Sequence, residues 1–317
     1  MHILILGAAG MLGRKLTEAI TAGGLPATRL TLVDVVAAEP PDSIPSTVLA
    51  VNLADPGVAP RLVAERPDVI FHLAAIVSGE AEADFDKGYT VNLDASRALL
   101  EAVRALPGYR PRLVFASSLA VFGAPFPDAI PDDFHQTPLT SYGTQKAITE
   151  LLISDYSRRG ILDGISLRLP TICIRPGAPN RAASGFFSGI LREPLAGLAA
   201  NLPVADTTRH WFASPRSATG FFLQAARIDT TLVGPRRALN MPGLSATVAD
   251  QIEALRRVAG QKAVGLIRIA PDPTVAAIVS TWAGNFAPDR ATALGFIADT
   301  SFDDIIHAYL QDDAPRT

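Results

Sequence analysis

The sequence predicts an α/β fold in which a doubly wound parallel sheet is covered by helices on both faces. Two observations support this prediction. Short segments that are apolar throughout alternate with segments of helical periodicity, which is typical of parallel strands buried on both faces. The first of these strands runs directly into a glycine-rich turn that opens a helix, so the alternation begins at the N-terminus.

The N-terminal unit has the order of a dinucleotide site. Residues 2–6 form an apolar strand, and Gly7, Gly10 and Gly13 follow in a GxxGxxG spacing before a helix over 14–22. Glycine at the strand exit allows a tight turn, and a second glycine lets a pyrophosphate approach the backbone. The N–H groups and the dipole at the helix N-terminus then favour that anion.

The end of the second strand predicts which dinucleotide is bound. A strand over 31–33 leads directly to Asp34. A carboxylate at this point accepts hydrogen bonds from the adenosine ribose hydroxyls and repels a 2′-phosphate. The unit is therefore typical of a Rossmann-type site, and the predicted cofactor is NAD rather than NADP.

The alternation continues to residue 170 and then becomes less regular. Up to that point we expect strands over 46–51, 68–73, 112–116 and 165–169 and helices over 58–64, 84–106 and 140–159. Beyond it we expect helices over 184–195, 246–259, 273–282 and 301–310, a strand over 264–269 and irregular structure over 201–211.

This pattern predicts a chain of two parts. We interpret residues 1–175 as an NAD-binding Rossmann domain, to which a segment near 209–242 returns. We interpret residues 176–208 and 243–317 as a smaller C-terminal substrate-binding lobe. Such a lobe would close over the carboxyl ends of the strands, where ligands bind in open α/β sheets.

Composition narrows the class of partner. The 317 residues are 48% hydrophobic and 19% charged, which is enough for a large core. A net charge of −3 without a long basic block favours a small-molecule substrate over nucleic acid or a membrane surface. Neither a transmembrane stretch nor a cationic leader is apparent, so we expect a cytoplasmic protein. The single Cys173 is expected to be a buried thiol, and no residue cluster has the spacing of a metal site.

Three polar residues are candidates for catalysis. Tyr142 and Lys146 lie four residues apart on one face of the helix over 140–159. A free phenol has a pKa of about 10, but a neighbouring ammonium and a cationic nicotinamide ring favour its ionised form. Ser118 follows the strand over 112–116 at the ligand edge of the sheet, where it can hold a substrate oxygen beside Tyr142.

The motifs together resemble those of the extended short-chain dehydrogenase/reductases, a family that includes nucleotide-sugar epimerases and dehydratases. The resemblance implies that Tyr142 is the general base, that Lys146 anchors the ribose and lowers the pKa of Tyr142, and that Ser118 polarises the substrate carbonyl. It also implies cofactor contacts from Gly7, Gly10, Met11, Gly13, Asp34, Asn52, Leu53, Leu73, Ala74, Ala75, Asn92, Tyr142, Lys146 and Pro170.

Two C-terminal features bear on the substrate. Where nucleotide-sugar members carry an acid after a diphosphate-binding arginine, this chain has His210 after Arg209, and Arg216 stands near the second expected acid. The segments 169–195 and 240–245 instead resemble the D-erythronate dehydrogenase branch of the family. That resemblance implies NAD-dependent oxidation of a small sugar acid, D-erythronate to 2-oxo-D-erythronate.

Two other functions stay open at this point. A nucleoside-diphosphate-sugar 4-epimerase or dehydratase would use the same groups, keep its NAD tightly bound and return the hydride to the substrate. A dinucleotide sensor without catalytic activity would keep the fold alone. The presence of both Tyr142 and Lys146 argues against the sensor.

A small hydroxy acid needs a cation for its carboxylate, and the planar guanidinium of arginine makes a two-point contact. Arg175, Arg192 and Arg209 are the candidate substrate-binding arginines, with Arg181 in the same region. Tyr142 and Ser118 would hold the reacting oxygen of the same substrate.

The helices over 84–106 and 140–159 carry more apolar positions than one sheet face needs. Members of the family that this chain resembles pair these helices with those of a second copy. We therefore expect a homodimer.

Overall fold

A seven-stranded parallel sheet forms the centre of the computed structural model, which describes residues 1–177 and 184–314. Within those residues the strands are β1 His2–Leu6, β2 Arg29–Asp34, β3 Ser46–Ala50, β4 Val69–His72, β5 Arg112–Ser118, β6 Ile130–Pro131, β7 Asp163–Leu169, β8 Thr171–Ile172, β9 Ala200–Leu202, β10 Arg209–Ala213, β11 Ala238–Asn240, β12 Leu244–Thr247, β13 Ile267–Ile269 and β14 Phe286–Ala287. The helices are α1 Met11–Ala19, α2 Val58–Ala64, α3 Ser78–Ala83, α4 Phe85–Gly88, α5 Ala95–Arg104, α6 Ser141–Arg158, α7 Gly185–Leu195, α8 Pro215–Arg227, α9 Val248–Val264, α10 Pro273–Val279, α11 Asp289–Ala293 and α12 Phe302–Asp312. Ile20–Gly24 and Tyr89–Asp94 are π-helical, and Leu119–Val121 is a 3₁₀ turn.

The large sheet confirms the predicted Rossmann-type fold. Its strand order is β11-β7-β5-β4-β1-β2-β3, and neighbouring strands run parallel. The direction of winding reverses between β1 and β4. Ligands bind in open α/β sheets at this reversal, outside the carboxyl ends of the strands.

Side-chain alternation along β1 explains why the strands are apolar throughout. Ile3 and Ile5 pack into the core under α1 and α8, whereas Leu4 and Leu6 pack into the core under α2 and α5. Successive side chains of a strand point to opposite faces, and both faces of this sheet are covered by helices. An alternation of polar and apolar residues is therefore not expected in these strands.

The helix predicted over 84–106 is present over 85–104, with a π-helical stretch at Tyr89–Asp94. The Asp84 carboxylate accepts a hydrogen bond from the Lys87 N–H at 3.0 Å and caps α4. The chain then becomes π-helical before α5 begins. Gly88 allows a close approach to α6, because a Cβ at this position would lie 2.7 Å from Gln145 Nε2. A π-helical stretch within an α-helix is not visible in the hydrophobic periodicity.

The C-terminal part has a core of its own. β12, β10 and β8 form a three-stranded sheet, β13 pairs with β9, and β14 pairs with β6. Phe187, Phe212 and Phe302 are central to its apolar cluster. The expectation of irregular structure over 201–211 is wrong, because β9 and β10 overlap this segment. After β10 the chain returns to the large sheet, where α8 packs against α1 and β11 pairs with β7.

Helices in the described part of the chain lack the combination of length and apolar character that crossing a membrane requires.

Substituting Gly13 tests the packing of α1 on the sheet. A Cβ at this position would lie 2.1 Å from the Gly7 carbonyl oxygen and 2.7 Å from Ala8 Cα, and backbone atoms cannot yield as a side chain does. We expect Gly13→Ala to lower the free energy of unfolding by about 1–3 kcal/mol in urea denaturation. Gly220→Ala is the matched control. At this exposed position of α8 no described heavy atom lies within 4 Å, so we expect a gain of about 0.5–1 kcal/mol. Equal stability of Gly13→Ala and wild type would contradict the close packing of this turn.

Candidate active site

The glycine turn after β1 has a different physical requirement at each glycine. Gly7 has a φ of +88°, and a Cβ on it would lie 2.7 Å from the Ala74 nitrogen. Gly13 lies against the backbone of the turn, as described above. Gly10 precedes α1, and a Cβ there would lie 3.3 Å from the Gly7 carbonyl oxygen. Gly7 and Gly13 are thus needed by the fold itself, whereas Gly10 keeps the helix N-terminus open.

A cavity of about 390 Å³ lies beside this turn, at the reversal of the sheet. Its lining includes the predicted cofactor residues Gly7, Gly10, Asp34, Asn52, Leu53, Leu73, Ala74 and Ala75. The Asp34 carboxylate accepts hydrogen bonds from the Ala9 N–H at 3.0 Å and the Val35 N–H at 2.7 Å. These bonds fix the carboxylate at the cavity wall, and its remaining lone pairs can accept from ribose hydroxyls.

The same cavity contains apolar residues that sequence reasoning missed. Val35 and Val36 follow Asp34 and line the cavity, although they are 67% and 59% exposed. Two adjacent exposed valines are unusual unless a ligand covers them, and an adenine ring would do so. This apolar rim, the open Gly10 and the fixed Asp34 carboxylate fit a dinucleotide. The signal in the sequence was the pair of valines directly after the acid.

Three predicted cofactor residues lie behind the cavity wall. Met11 begins α1 and packs partly into the core, and Gly13 supports the turn. Asn92 is buried in the π-helical segment, where its side-chain oxygen accepts from the Ile76 N–H at 2.9 Å and its Nδ2 donates to Gln145 Oε1 at 2.8 Å. Asn92 thus connects the segment after β4 to α6.

β5 and α6 bring the three candidate catalytic side chains together. Ser118 ends β5, and Tyr142 and Lys146 occupy successive turns of α6. Thr140 caps this helix by accepting the Gly143 N–H at 3.0 Å, which fixes where its first turn starts. Lys146 Nζ donates to the Ala116 carbonyl at 2.8 Å and lies 5.5 Å from the centroid of the Tyr142 ring.

Burial dominates the electrostatics of this group. It raises the pKa of Tyr142, while a hydrogen bond with Ser118 and the charge of Arg175 act in the opposite direction. Burial lowers the pKa of Lys146 to about 7, and the charge of Glu150 acts against this shift. Without a bound cofactor the phenol is therefore protonated at neutral pH, and Lys146 is only partly charged.

Glu150 belongs to a buried ion pair one turn beyond Lys146. Its carboxylate accepts from Arg168 Nη2 at 2.8 Å and from the side chains of Ser117 and Gln136. A buried pair is costly to break, because the remaining charge loses its partner. The pair ties α6 to β7 and so holds the face of α6 that carries Tyr142. Sequence reasoning missed both Glu150 and Arg168.

A second cavity of about 500 Å³ opens where Ser118 and Tyr142 meet the C-terminal part. Pro170 also lines it, as do Thr171 and His210. The segment after β4 borders both cavities, since residues 73–76 line the first and Ser78 lines the second. The two cavities are therefore neighbours along the sheet edge.

The candidate arginines lie in different environments. Arg209 is exposed and donates to the Ser245 hydroxyl at 3.3 Å, and it does not line the cavity. Successive side chains of β10 point to opposite sides, so His210 faces the cavity and Arg209 faces away from it. Arg192 is buried in an ion pair with Glu193 and donates to the Arg175 carbonyl at 2.7 Å. The charge of Arg175 acts on Tyr142. Arg181 lies outside the described residues.

Cys173 is fully buried, and burial raises the pKa of its thiol to about 12. Across residues 1–177 and 184–314, the acidic, histidine and cysteine side chains form no group that could hold a metal ion.

The fold and the two neighbouring cavities define a dinucleotide-binding protein of the Rossmann type. The sequence model of the NAD-dependent epimerase/dehydratase family matches residues 3–211. The chain belongs to this family, which confirms the resemblance noted from its motifs.

Similar proteins include two D-erythronate dehydrogenases. One from Cupriavidus necator is 49% identical over 320 residues, which cover 98% of this chain and 98% of that protein. One from Haemophilus influenzae is 41% identical over 315 residues, which cover 99% of this chain and 100% of that protein.

Solved structures share the fold. A protein from Agrobacterium tumefaciens described as a nucleoside-diphosphate-sugar epimerase has a TM-score of 0.96 and 60% identity, and the match covers 98% of this chain and 94% of that one. A GalE-like L-threonine dehydrogenase from Cupriavidus necator has a TM-score of 0.86 at 23% identity, covering 98% and 99%, and shows the fold alone.

The buried Lys146 predicts a pH dependence of stability. Its pKa is about 7 in the folded protein, against an ordinary value of 10.5 for an exposed lysine. Between these values the unfolded chain binds more protons, so the free energy of unfolding rises with pH. One such group contributes a slope of at most about 1.4 kcal/mol per pH unit. From about pH 7 to about pH 9, urea denaturation of the cofactor-free protein should show a steeper rise for wild type than for Lys146→Met. Parallel profiles would contradict the effect of burial on Lys146.

Proposed function

We propose that this protein oxidises D-erythronate to 2-oxo-D-erythronate with NAD as the hydride acceptor. The observation that carries the proposal is that Ser118 and Tyr142 line a cavity beside the dinucleotide cavity, with Lys146 buried one turn further along α6. The activity of the two similar D-erythronate dehydrogenases supports the choice of substrate. A freely exchanging NAD would make the reaction a net oxidation.

In the proposed reaction Tyr142 takes the proton of the substrate hydroxyl while the hydrogen on the same carbon leaves as hydride. Ser118 holds the reacting oxygen beside the phenol. NAD, when bound, accepts the hydride and adds positive charge near Tyr142. That charge and the Lys146 ammonium would favour the phenolate. They would add to the charge of Arg175, which acts against the effect of burial. Lys146 also anchors the ribose, and the product is a ketone.

The cofactor contacts proposed for the chain are those named from its motifs, from Gly7 to Pro170, except that Met11, Gly13 and Asn92 support the site from behind the cavity wall. The cofactor cavity takes its lining from residues 6–91, whereas the substrate cavity takes residues from both parts of the chain. This supports the division into a cofactor part, residues 1–175 with the segment near 209–242, and a substrate lobe, residues 176–208 and 243–317.

The cavity favours a small sugar acid over a nucleoside-diphosphate sugar. Within the described residues its walls carry no lysine or arginine, although a diphosphate needs several cationic contacts. A single carboxylate needs one. Neither Arg175 nor Arg209 lines the cavity. The charge of Arg175 acts on Tyr142, which does line it, so we assign the carboxylate contact to Arg175 rather than to the exposed Arg209. Arg192 supports Arg175 by donating a hydrogen bond to the backbone carbonyl of Arg175.

The 60% identical Agrobacterium protein keeps the epimerase as the second candidate function. An epimerase returns the hydride to its substrate, so NADH would not accumulate. The two candidates therefore differ in one optical signal.

We also propose a cytoplasmic homodimer. Leu151 on α6 is 64% exposed and Phe85 on α4 is 58% exposed, and a second copy would cover such apolar side chains. The single cysteine, which can form no internal disulfide, suits a reducing compartment.

Incubation with NAD and a panel of four- to six-carbon aldonic acids tests the reaction. We expect NADH to accumulate with D-erythronate, and Tyr142→Phe to lower turnover by about 10²–10⁴-fold while NAD affinity is retained. Tyr109→Phe is the matched control, because its hydroxyl donates to the Pro67 carbonyl away from both cavities and turnover should persist. Turnover of a UDP- or dTDP-sugar with no NADH from any acid would overturn the proposal.

The carboxylate contact is tested by a pair of matched substitutions. Arg175→Lys keeps the charge but loses the planar two-point contact of the guanidinium. We expect kcat/KM for D-erythronate to fall, by an amount that corresponds to about 1.5–3 kcal/mol of lost transition-state stabilisation. Arg209→Lys should behave like wild type, because this side chain is exposed outside the cavity. A loss in Arg209→Lys with none in Arg175→Lys would reverse the assignment.

A further inference from the structure

The substrate cavity contains a polar pair besides Ser118 and Tyr142. Thr171 is the first residue of β8, and His210 is the second residue of β10. Both line the cavity, and Thr171 Oγ1 lies 2.6 Å from His210 Nε2. The reaction proposed above uses neither side chain, so their presence at the cavity calls for a separate explanation.

Aromatic packing holds the His210 ring in one orientation. The ring stacks on Phe187 with centroids 5.2 Å apart and planes 3° apart. Phe212 contacts it edge to face at 5.4 Å, and Trp282 lies at 5.3 Å. A ring enclosed by three aromatic side chains does not reorient freely. The contact from Nε2 to Thr171 is therefore a fixed feature of the cavity.

His210 is neutral at physiological pH. Burial lowers its pKa to about 4, although a hydrogen bond with the backbone of Ala283 acts in the opposite direction. A neutral imidazole offers one donor and one acceptor, so His210 is not a cationic site for a carboxylate. Its role at the cavity is to orient its partner.

The Thr171 hydroxyl keeps hydrogen-bonding capacity for a ligand. A hydroxyl has one donor and two acceptor positions, and His210 uses only one of them. Thr171 is partly exposed at the cavity surface, whereas His210 is buried behind it. In this pair either Thr171 donates to His210 or His210 donates to Thr171. An alcohol both donates and accepts, so it can pair with the Thr171 hydroxyl in either case. An ionised carboxylate or phosphate only accepts, so it can pair with Thr171 only when His210 donates to Thr171 and leaves the threonine O–H free.

We propose that Thr171, oriented by His210, binds a hydroxyl of the substrate other than the one that is oxidised. This inference rests on the proposed oxidation of a polyhydroxylated acid and adds a specificity residue to it. Thr171 would then set the preference for a sugar acid over its deoxy analogues. A site built to pair with a hydroxyl disfavours a ligand without one, since its own polar group is left unpaired.

Another threonine in the same cavity serves as a matched control. Thr281 also lines the cavity, but its hydroxyl donates to the Ile278 carbonyl at 2.7 Å. Its single donor is thus already used within the chain, and no side chain among residues 1–177 and 184–314 is hydrogen-bonded to it. Thr171→Val and Thr281→Val remove the same atom from the same cavity.

The test compares kcat/KM for D-erythronate with its 3-deoxy and 4-deoxy analogues, 2,4- and 2,3-dihydroxybutanoate. We expect the wild-type kcat/KM to be about tenfold lower for one analogue than for D-erythronate, which is the effect of losing one neutral hydrogen bond. Thr171→Val should lower kcat/KM about tenfold for D-erythronate and leave kcat/KM for that analogue unchanged. The discrimination ratio, which is kcat/KM for D-erythronate divided by kcat/KM for the analogue, would then fall to about one. His210→Phe keeps the aromatic packing and should lower the same ratio, whereas Thr281→Val should keep it.

The outcomes separate this inference from the proposed function. Oxidation of D-erythronate by wild type checks the function by itself. An unchanged discrimination ratio in Thr171→Val, on an enzyme that oxidises D-erythronate, overturns the hydroxyl contact alone. A ratio that falls equally in Thr281→Val also overturns it, since any loss of a cavity hydroxyl would then suffice. No NADH from wild type with any acid overturns both.

Discussion

The hydrogen bond from Lys146 to the Ala116 carbonyl is the contact on which the site depends. It joins the second turn of α6 to the end of β5 at 2.8 Å, and so sets how Tyr142 and Ser118 face each other. The same burial that makes this contact rigid works against the chemistry, because it disfavours the charged forms of both Tyr142 and Lys146. In the proposed mechanism, positive charge from a bound cofactor would add to that of Arg175 in favouring the phenolate. Cofactor binding would then be coupled to activation of the base.

Local sequence signals were enough to pick out residues that line one cavity in the cofactor half. Strand, glycine turn, helix and acid follow one another within one βαβ unit, so Gly7, Gly10 and Asp34 needed no knowledge of distant residues. The apolar character of β1 and its parallel neighbours likewise reported burial on both faces. Tyr142 and Lys146 were found because a helix places residues four apart on one face.

The substrate half depends on contacts between distant segments, which sequence reasoning could not supply. Arg209 was a reasonable candidate, yet the pairing of β10 with β12 and β8 turns His210 inward and leaves Arg209 exposed. The Glu150–Arg168 pair joins residues 18 positions apart through the fold of α6 against β7. Neither partner has a local pattern that marks it. The close approach of Gly88 to Gln145 on α6 is likewise a contact between distant segments.

Ionisation of Tyr142 tests the coupling of cofactor binding to base activation most directly. It can be followed by the ultraviolet absorbance of tyrosinate, as the difference between wild type and Tyr142→Phe during a pH titration. Without cofactor, we expect ionisation above the ordinary tyrosine pKa of about 10, because burial raises the pKa of Tyr142. With saturating NAD we expect ionisation below about 10. An ionisation of Tyr142 that NAD does not shift would contradict this coupling.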